Sequence, residues 1–121
     1  MFTLDEYQKQ AKSTATYNDG VRGFSFEELQ QLTSLSYCLH GLAGEAGEAN
    51  EKHKKFLRGG PIGSFEEYKA LLAKELGDTL WYVSQAAVEI GMSLDDIARM
   101  NLEKLADRKK RGVLHGSGDD R

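Results

Sequence analysis

Cysteine and proline are almost absent from this chain: Cys38 and Pro61 are single occurrences among 121 residues. One cysteine closes no internal disulfide, so nothing asks for an oxidising compartment, and there are no paired thiols to hold zinc. Long hydrophobic runs are lacking too. The longest unbroken apolar stretches, such as Leu80-Trp81-Tyr82-Val83, are only about four residues, against the roughly 20 that a membrane span requires. The opening stretch Met1–Gln10 mixes Asp5, Glu6 and Lys9 into its apolar residues, which is not the pattern of a signal peptide. Nor is charge of one sign in excess. Sixteen basic and 19 acidic side chains leave −3, a balance that argues against a chain built to coat nucleic acid or an anionic membrane. These absences lead us to expect a cytoplasmic protein with one domain and a single modest core.

β-branched residues are also scarce. Val and Ile together number 7, against 15 Leu and 11 Ala, a balance that favours helices over strands. Thr3 and Glu6 have capping-box spacing and predict a first helix from 4 to about 15. Tyr17 to Gly23 is turn chemistry, and Ser25 opens a short helical turn through Glu28 and Leu32. A second long helix is expected from Ser34 to Leu57, stopped by Arg58-Gly59-Gly60-Pro61. Ser64 caps a third, with Glu66 and Glu67 in its first turn, running to Ile90. Ser93 with Asp96 caps a fourth, from Leu94 to Arg108. The expected fold is all-α, a four-to-five-helix up-down bundle over residues 1–111 with a flexible glycine-rich C-terminal tail over 112–121.

Placed on helical wheels, the second and third helices share an abnormality. Leu35, Cys38, Leu39, Leu42, Ala46, Ala49, Phe56 and Leu57 form one apolar arc, and Glu45 and Glu48 border it. On the third helix Tyr68, Leu72, Leu76, Thr79, Leu80, Val83, Ala87 and Ile90 form the arc, bordered by Glu75 and Asp78. Packing along these arcs brings four carboxylates to the edge of the core, where mutual repulsion and lost hydration are costly. A divalent cation offsets that cost, and all-oxygen ligation suits Mg²⁺ or Mn²⁺. The alternative is that the acids decorate a solvated face. Gly41, Gly44, Gly47 and Gly77 interrupt the same helical stretches at a propensity cost of about 1 kcal/mol each, which fits either a functional site or a close helix approach.

Other metal and nucleotide chemistries find no support. The residues three before His40, His53 and His115 are Tyr37, Asn50 and Gly112, so the Glu-x-x-His pairs of a di-iron bundle are missing. Neither a zinc-protease His-Glu-x-x-His nor a phosphate-binding P-loop occurs. Cys38 falls on the apolar arc and reads as core. On the fourth helix Leu94, Ile97, Ala98, Leu102 and Leu105 are expected to face inward, with Asn101 inside that arc and Lys104 and Arg108 along its flank. A buried amide needs partners, so Asn101 is a structural hydrogen-bonder or a ligand contact. Lys52, four residues after Glu48, forms an i,i+4 salt bridge or reaches a ligand. Acids that collect Mg²⁺ beside cations that grip phosphate describe a site for a polyphosphate. Arg108-Lys109-Lys110-Arg111 is a possible nucleic-acid patch but too short to carry that reading alone.

The segment GLAGEAGEANEKHKKFLR (Gly41 to Arg58), followed by KELGDTLWYV (Lys74 to Val83), resembles the MazG-like nucleoside triphosphate pyrophosphohydrolases. Their E-x-x-E…E-x-x-D signature reads here as Glu45, Glu48, a spacer of 26 residues, Glu75 and Asp78, and Asn101 to Arg108 is similar to the closing helix of the family. The resemblance covers residues 34 to 111. It implies Mg²⁺-dependent hydrolysis of a nucleoside triphosphate, a deoxynucleoside one in the first instance, to the monophosphate and pyrophosphate, as nucleotide-pool cleaning. Glu45, Glu48, Glu75 and Asp78 would be metal ligands, and one of them or Glu51 would orient the attacking water. Lys52, Asn101, Lys104 and Arg108 would contact substrate, and Tyr37 and Tyr82 would stack on the base or belong to the core. A homodimer or homotetramer is implied as well. Two other readings stay open: a phosphoribosyl-ATP pyrophosphohydrolase, and a non-catalytic, metal-stabilised helical interaction module.

Overall fold

A computed structural model describes residues 3–121, and every regular element in that span is helical. Met1 and Phe2, which open the stretch weighed as a signal peptide, lie outside the described residues. The α-helices are α1 (Leu4–Ala11), α2 (Phe26–Leu57), α3 (Phe65–Glu89) and α4 (Leu94–Lys110), with 3-10 turns at Lys12–Thr14 and Val21–Gly23. No described helix is long and apolar enough to cross a membrane. The chain divides into two compact units, the first ending at Thr33 and the second spanning Ser34–Arg121.

In the first unit, Thr3 and Glu6 form the expected capping box, with Thr3 N donating to Glu6 at 2.8 Å and Glu6 N to Thr3 Oγ1 at 3.2 Å. α1 stops at Ala11, short of the expected 15, because Ser13 and Thr14 turn their hydroxyls back onto the carbonyls of Gln10 and Ala11 at 2.7 and 2.8 Å. Such back-bonding competes with regular helix and tightens the last turn into a 3-10 form.

The expected boundary at Ser34 is absent: α2 runs 32 residues without a break. Ser25 and Glu28 cap it reciprocally, at 2.7 and 3.1 Å. Thr33 spends its hydroxyl on the Leu29 carbonyl one turn back, at 2.8 Å, and neither glycine nor proline intervenes between Phe26 and His40 to end the helix. The other caps match expectation. Ser64 and Glu67 form a capping box, and Ser93 accepts from Asp96 N. At the C-termini, Gly60 N bonds Lys55 O and Met92 N bonds Ala87 O across Gly59 and Gly91, whose φ values of 73° and 70° only glycine adopts readily.

Within the second unit α2 and α3 run antiparallel, since contact partners fall along α3 as they rise along α2: Gly41 meets Tyr82, Lys52 meets Glu75 and His53 meets Tyr68. Near the connecting loop, Phe56 stacks on Tyr68 at 4.4 Å between ring centroids, Phe65 lies 5.8 and 5.9 Å from the two rings, and His53 Nδ1 is 2.7 Å from the Tyr68 hydroxyl.

The contact line differs from the leucine arcs. Cys38, Tyr68 and Ala87 are buried, as expected of core, but Leu39, Leu57, Leu76, Leu80, Ile90, Leu94, Leu102 and Leu105 are exposed, as are Ala46 and Ala98. The seam keeps Cys38, Ala49 and Phe56 of the expected arc and adds Gly41, Glu45 and Lys52, because the bare Cα of Gly41 admits the Tyr82 ring. A Cβ there would overlap that ring, with Cδ1 only 2.6 Å away. Gly44, Gly47 and Gly77 have nothing within 4 Å of such an atom, so close approach within the chain accounts for Gly41 alone.

Gly41→Ala is therefore expected to destabilise. Overpacking costs about 1–3 kcal/mol, which outweighs the roughly 1 kcal/mol gained in helix propensity. Urea melts of Gly41→Ala, Tyr82→Ala and the double variant should give a coupling energy above about 0.5 kcal/mol.

Candidate metal and phosphate site

Glu45 and Glu48 reach the α2–α3 seam from one helix and Glu75 from the other. One carboxylate oxygen from each lies within 4.8 Å of the other two. Glu75 is buried at 8 % exposure, Glu45 is half-buried and Glu48 is open to solvent. Glu45 and Glu75 thus stand on the contact line itself, and Glu48 and Asp78 at its exposed border. Lys52 enters the same group, pairing with Glu75 and lying 3.8 Å from Glu48. The i,i+4 bridge expected of Lys52 is present, and the stronger partner is on the other helix. Three carboxylates and one ammonium sum to −3 + 1 = −2.

The electrostatics follow from this crowding. Burial, then the charges of Glu48, Asp78 and Glu75, push the Glu45 carboxyl above its usual 4.5. The hydrogen bond to Glu75 raises the Lys52 ammonium above its usual 10.5. Asp78 is exposed and falls outside the close trio, although its charge acts on Glu45. Glu51 stands apart from the trio, held by Lys54 at 2.6 Å and Lys55 at 3.6 Å, and the Lys54 hydrogen bond lowers its carboxyl. An all-oxygen donor set from rigid helices, carrying excess negative charge, fits a hard divalent cation.

Tyr82 is half-buried over Gly41, with Tyr37 at 6.3 Å between ring centroids, and burial followed by Tyr37 raises its hydroxyl pKa. On α4, Asn101 is exposed and not inside a buried arc, so water serves its amide and the argument from an unpaired buried amide lapses. Asn101 and Lys104 line a cleft of about 270 Å³ with Met92, Ile97 and Met100. Arg108, expected on the flank, is buried at 4 % exposure. Two polar groups were not expected at the site, one of them on a residue placed in the apolar arc. Thr79 Oγ1 is buried without a partner one turn beyond Glu75, and Asp119 pairs with Lys104 and Arg108. Only the acidic run after the basic one, Arg108 to Arg111 and then Asp119 and Asp120, hinted at the latter.

Three carboxylates and one lysine drawn together on a helical hairpin form a donor set of the kind that metal-site proteins use. Residues 33–113 match the model of the MazG nucleotide pyrophosphohydrolase domain, a span that nearly coincides with the second compact unit. The Gene 37 protein of Mycobacterium phage L5 is 41 % identical over 118 residues, covering 98 % of each chain. No solved structure matches. The chain belongs to the MazG nucleotide pyrophosphohydrolase domain family, and the activity that membership supports is that of a nucleotide pyrophosphohydrolase.

A divalent cation at this cluster competes with the proton that the raised Glu45 carboxyl retains. That retention stabilises the fold at pH below about 4.5, the unfolded value, and the benefit disappears as pH rises through the higher folded value. The melting temperature should therefore climb on adding Mg²⁺ or Mn²⁺, and the increment should grow as pH is raised through this window. At 100 times the dissociation constant the gain is about 2.7 kcal/mol, which calorimetry across pH would read.

Proposed function

We propose that this protein hydrolyses a nucleoside triphosphate, a deoxynucleoside one in the first instance, to the monophosphate and pyrophosphate, as a cleaner of the cytoplasmic nucleotide pool. The observation that carries the reading is the Glu45, Glu48 and Glu75 trio, contributed by two helices within 4.8 Å and partly buried. In this reading the trio and Asp78 hold Mg²⁺, with Mn²⁺ as a substitute. The bound ion supplies charge neutralisation for phosphoryl oxygens and a lowered pKa for its water.

The chain's own groups do the rest. Lys52 fixes the Glu75 carboxylate in the seam, so that the donor set is held before substrate arrives. Asn101 and Lys104, on the wall of the cleft, and Arg108 receive sugar and phosphate, and Tyr82 presents a ring edge beside Tyr37 for a base. Water adds across the α–β phosphoanhydride. The bridging P–O bond breaks, one fragment gains hydroxyl and the other leaves as pyrophosphate, with the proton released to solvent.

Incubating the protein with Mg²⁺ and a panel of dNTPs and NTPs should release pyrophosphate, and no release from any of them with the helical signal intact removes the proposal. Glu48→Gln and Asp78→Asn should each lower kcat by at least about 100-fold, roughly 2.7 kcal/mol, without loss of helicity. Phosphoribosyl-ATP belongs in the panel, because turnover of it alone would select that substrate instead.

The same reading includes a homodimer or homotetramer. Cys38, Tyr68 and Ala87 are the buried apolar side chains among the described residues, a thin core for a stable domain. Leu76, Leu80, Trp81 and Val88 on α3, with Met100 and Leu102 on α4, are large apolar side chains left exposed, of the kind that proteins cover by association. Light scattering should give at least twice 13.5 kDa, and Leu80→Asp should shift the mass toward the monomer.

A further inference from the structure

Gly112 to Arg121 makes polar contacts that the reaction above does not use. The nearly buried Arg108 directs Nη2 into this segment, to the Gly118 carbonyl at 3.4 Å, to the Asp119 carbonyl and to Asp119 Oδ1 at 3.3 Å. Lys104 Nζ lies 3.1 Å from the same Oδ1. One carboxylate oxygen therefore spans two cations placed i and i+4 on α4. Arg108 Nε is buried and has no partner, so the guanidinium holds donor capacity that Asp119 leaves unused. Arg121 bonds the Gly118 and Leu114 carbonyls, and Arg111 Nη2 donates to the Arg121 carbonyl at 2.9 Å, which keeps the segment folded against α4.

The burial is lopsided in a telling way. The Asp119 side chain is 83 % exposed while that of Arg108 is 5 % exposed. A clasp built for stability would bury both partners. A single exposed carboxylate is instead a weak and salt-screened occupant, whereas a polyphosphate brings several charged oxygens that can engage both the forked guanidinium and the lysine.

We propose that Lys104 and Arg108 form a polyphosphate site that the chain itself keeps filled, with Asp119 as an internal competitor that the incoming nucleotide must displace. The proposal rests on the assignment of these two cations to phosphate made above. It adds a regulatory consequence: apparent affinity is the intrinsic affinity multiplied by the fraction of chains in which the segment is released, so binding of anything to the segment, or its removal, activates the site.

The test is calorimetric titration of inorganic tripolyphosphate into the full chain. Asp119→Asn keeps the shape and removes the charge at an exposed position, and should tighten binding by about tenfold, or 1.4 kcal/mol. A chain ending at Leu114 should tighten it as well. Adding Lys104→Gln to Asp119→Asn should reverse the gain. Equal dissociation constants for wild type and Asp119→Asn overturn the proposal, and so does a gain that survives Lys104→Gln. Hydrolysis is scored separately. Tightened tripolyphosphate binding without turnover of any nucleotide keeps the competitor and discards the enzymatic reading, and turnover with unchanged binding does the reverse.

Discussion

The bridge between Lys52 and Glu75 is the interaction on which the rest of the site depends. Two helices cannot bring Glu45, Glu48 and Glu75 into a shared, partly buried space unless some of the negative charge is offset. Lys52 does this from within, joined to the most buried of the acids and within 3.8 Å of the most exposed one. It leaves a deficit of two charges, which is what a divalent ion supplies. Replacing such a pair by apolar groups often costs nothing in stability, whereas removing one partner leaves an uncompensated charge. The pair is better understood as the device that keeps a binding site assembled than as a source of stability.

Much of the secondary structure was legible because it is written in local chemistry. Ser64 with Glu67, Thr3 with Glu6, and the glycines after Leu57 and Glu89 act through bonds spanning three to five residues, and each formed where expected. The turn opened by Ser25 and the helix expected from Ser34 are one element, since Thr33 bonds back to Leu29 and the helix continues. The acids were found by their spacing. Their partial burial was expected too, but not that Glu75 would be buried at 8 % exposure, because a helical wheel ranks faces by hydrophobicity and assigns the contact line to leucine.

Steric fit decided otherwise. At Gly41 the Tyr82 ring of α3 fills the space that a Cβ would take, and in the same packing Glu45 and Glu75 face each other while Leu76 and Leu80 are exposed. A wheel drawn for one chain also assumes that one chain covers its own apolar surface. With so few side chains buried, that assumption is the weakest step in reading a small helical protein from sequence. The Asp119 contacts were hidden for a different reason: they join residues 11 and 15 apart through a glycine-rich segment with no periodic pattern to follow.

The His53–Tyr68 and Gly41–Tyr82 contacts flank the acid trio like two pins through a hinge plate. Sliding α3 by one residue would shift it about 1.5 Å and turn it about 100°, carrying Glu75 out of reach of Glu45. The two pins forbid that step from opposite ends, since the stacked ring of Tyr68 and the notch at Gly41 each accept only one register. The spacing of the three carboxylates in this hairpin is thus set by alignment. Substitutions at either pin, though they remove no carboxylate, would retune the site as a misaligned vernier loses its reading.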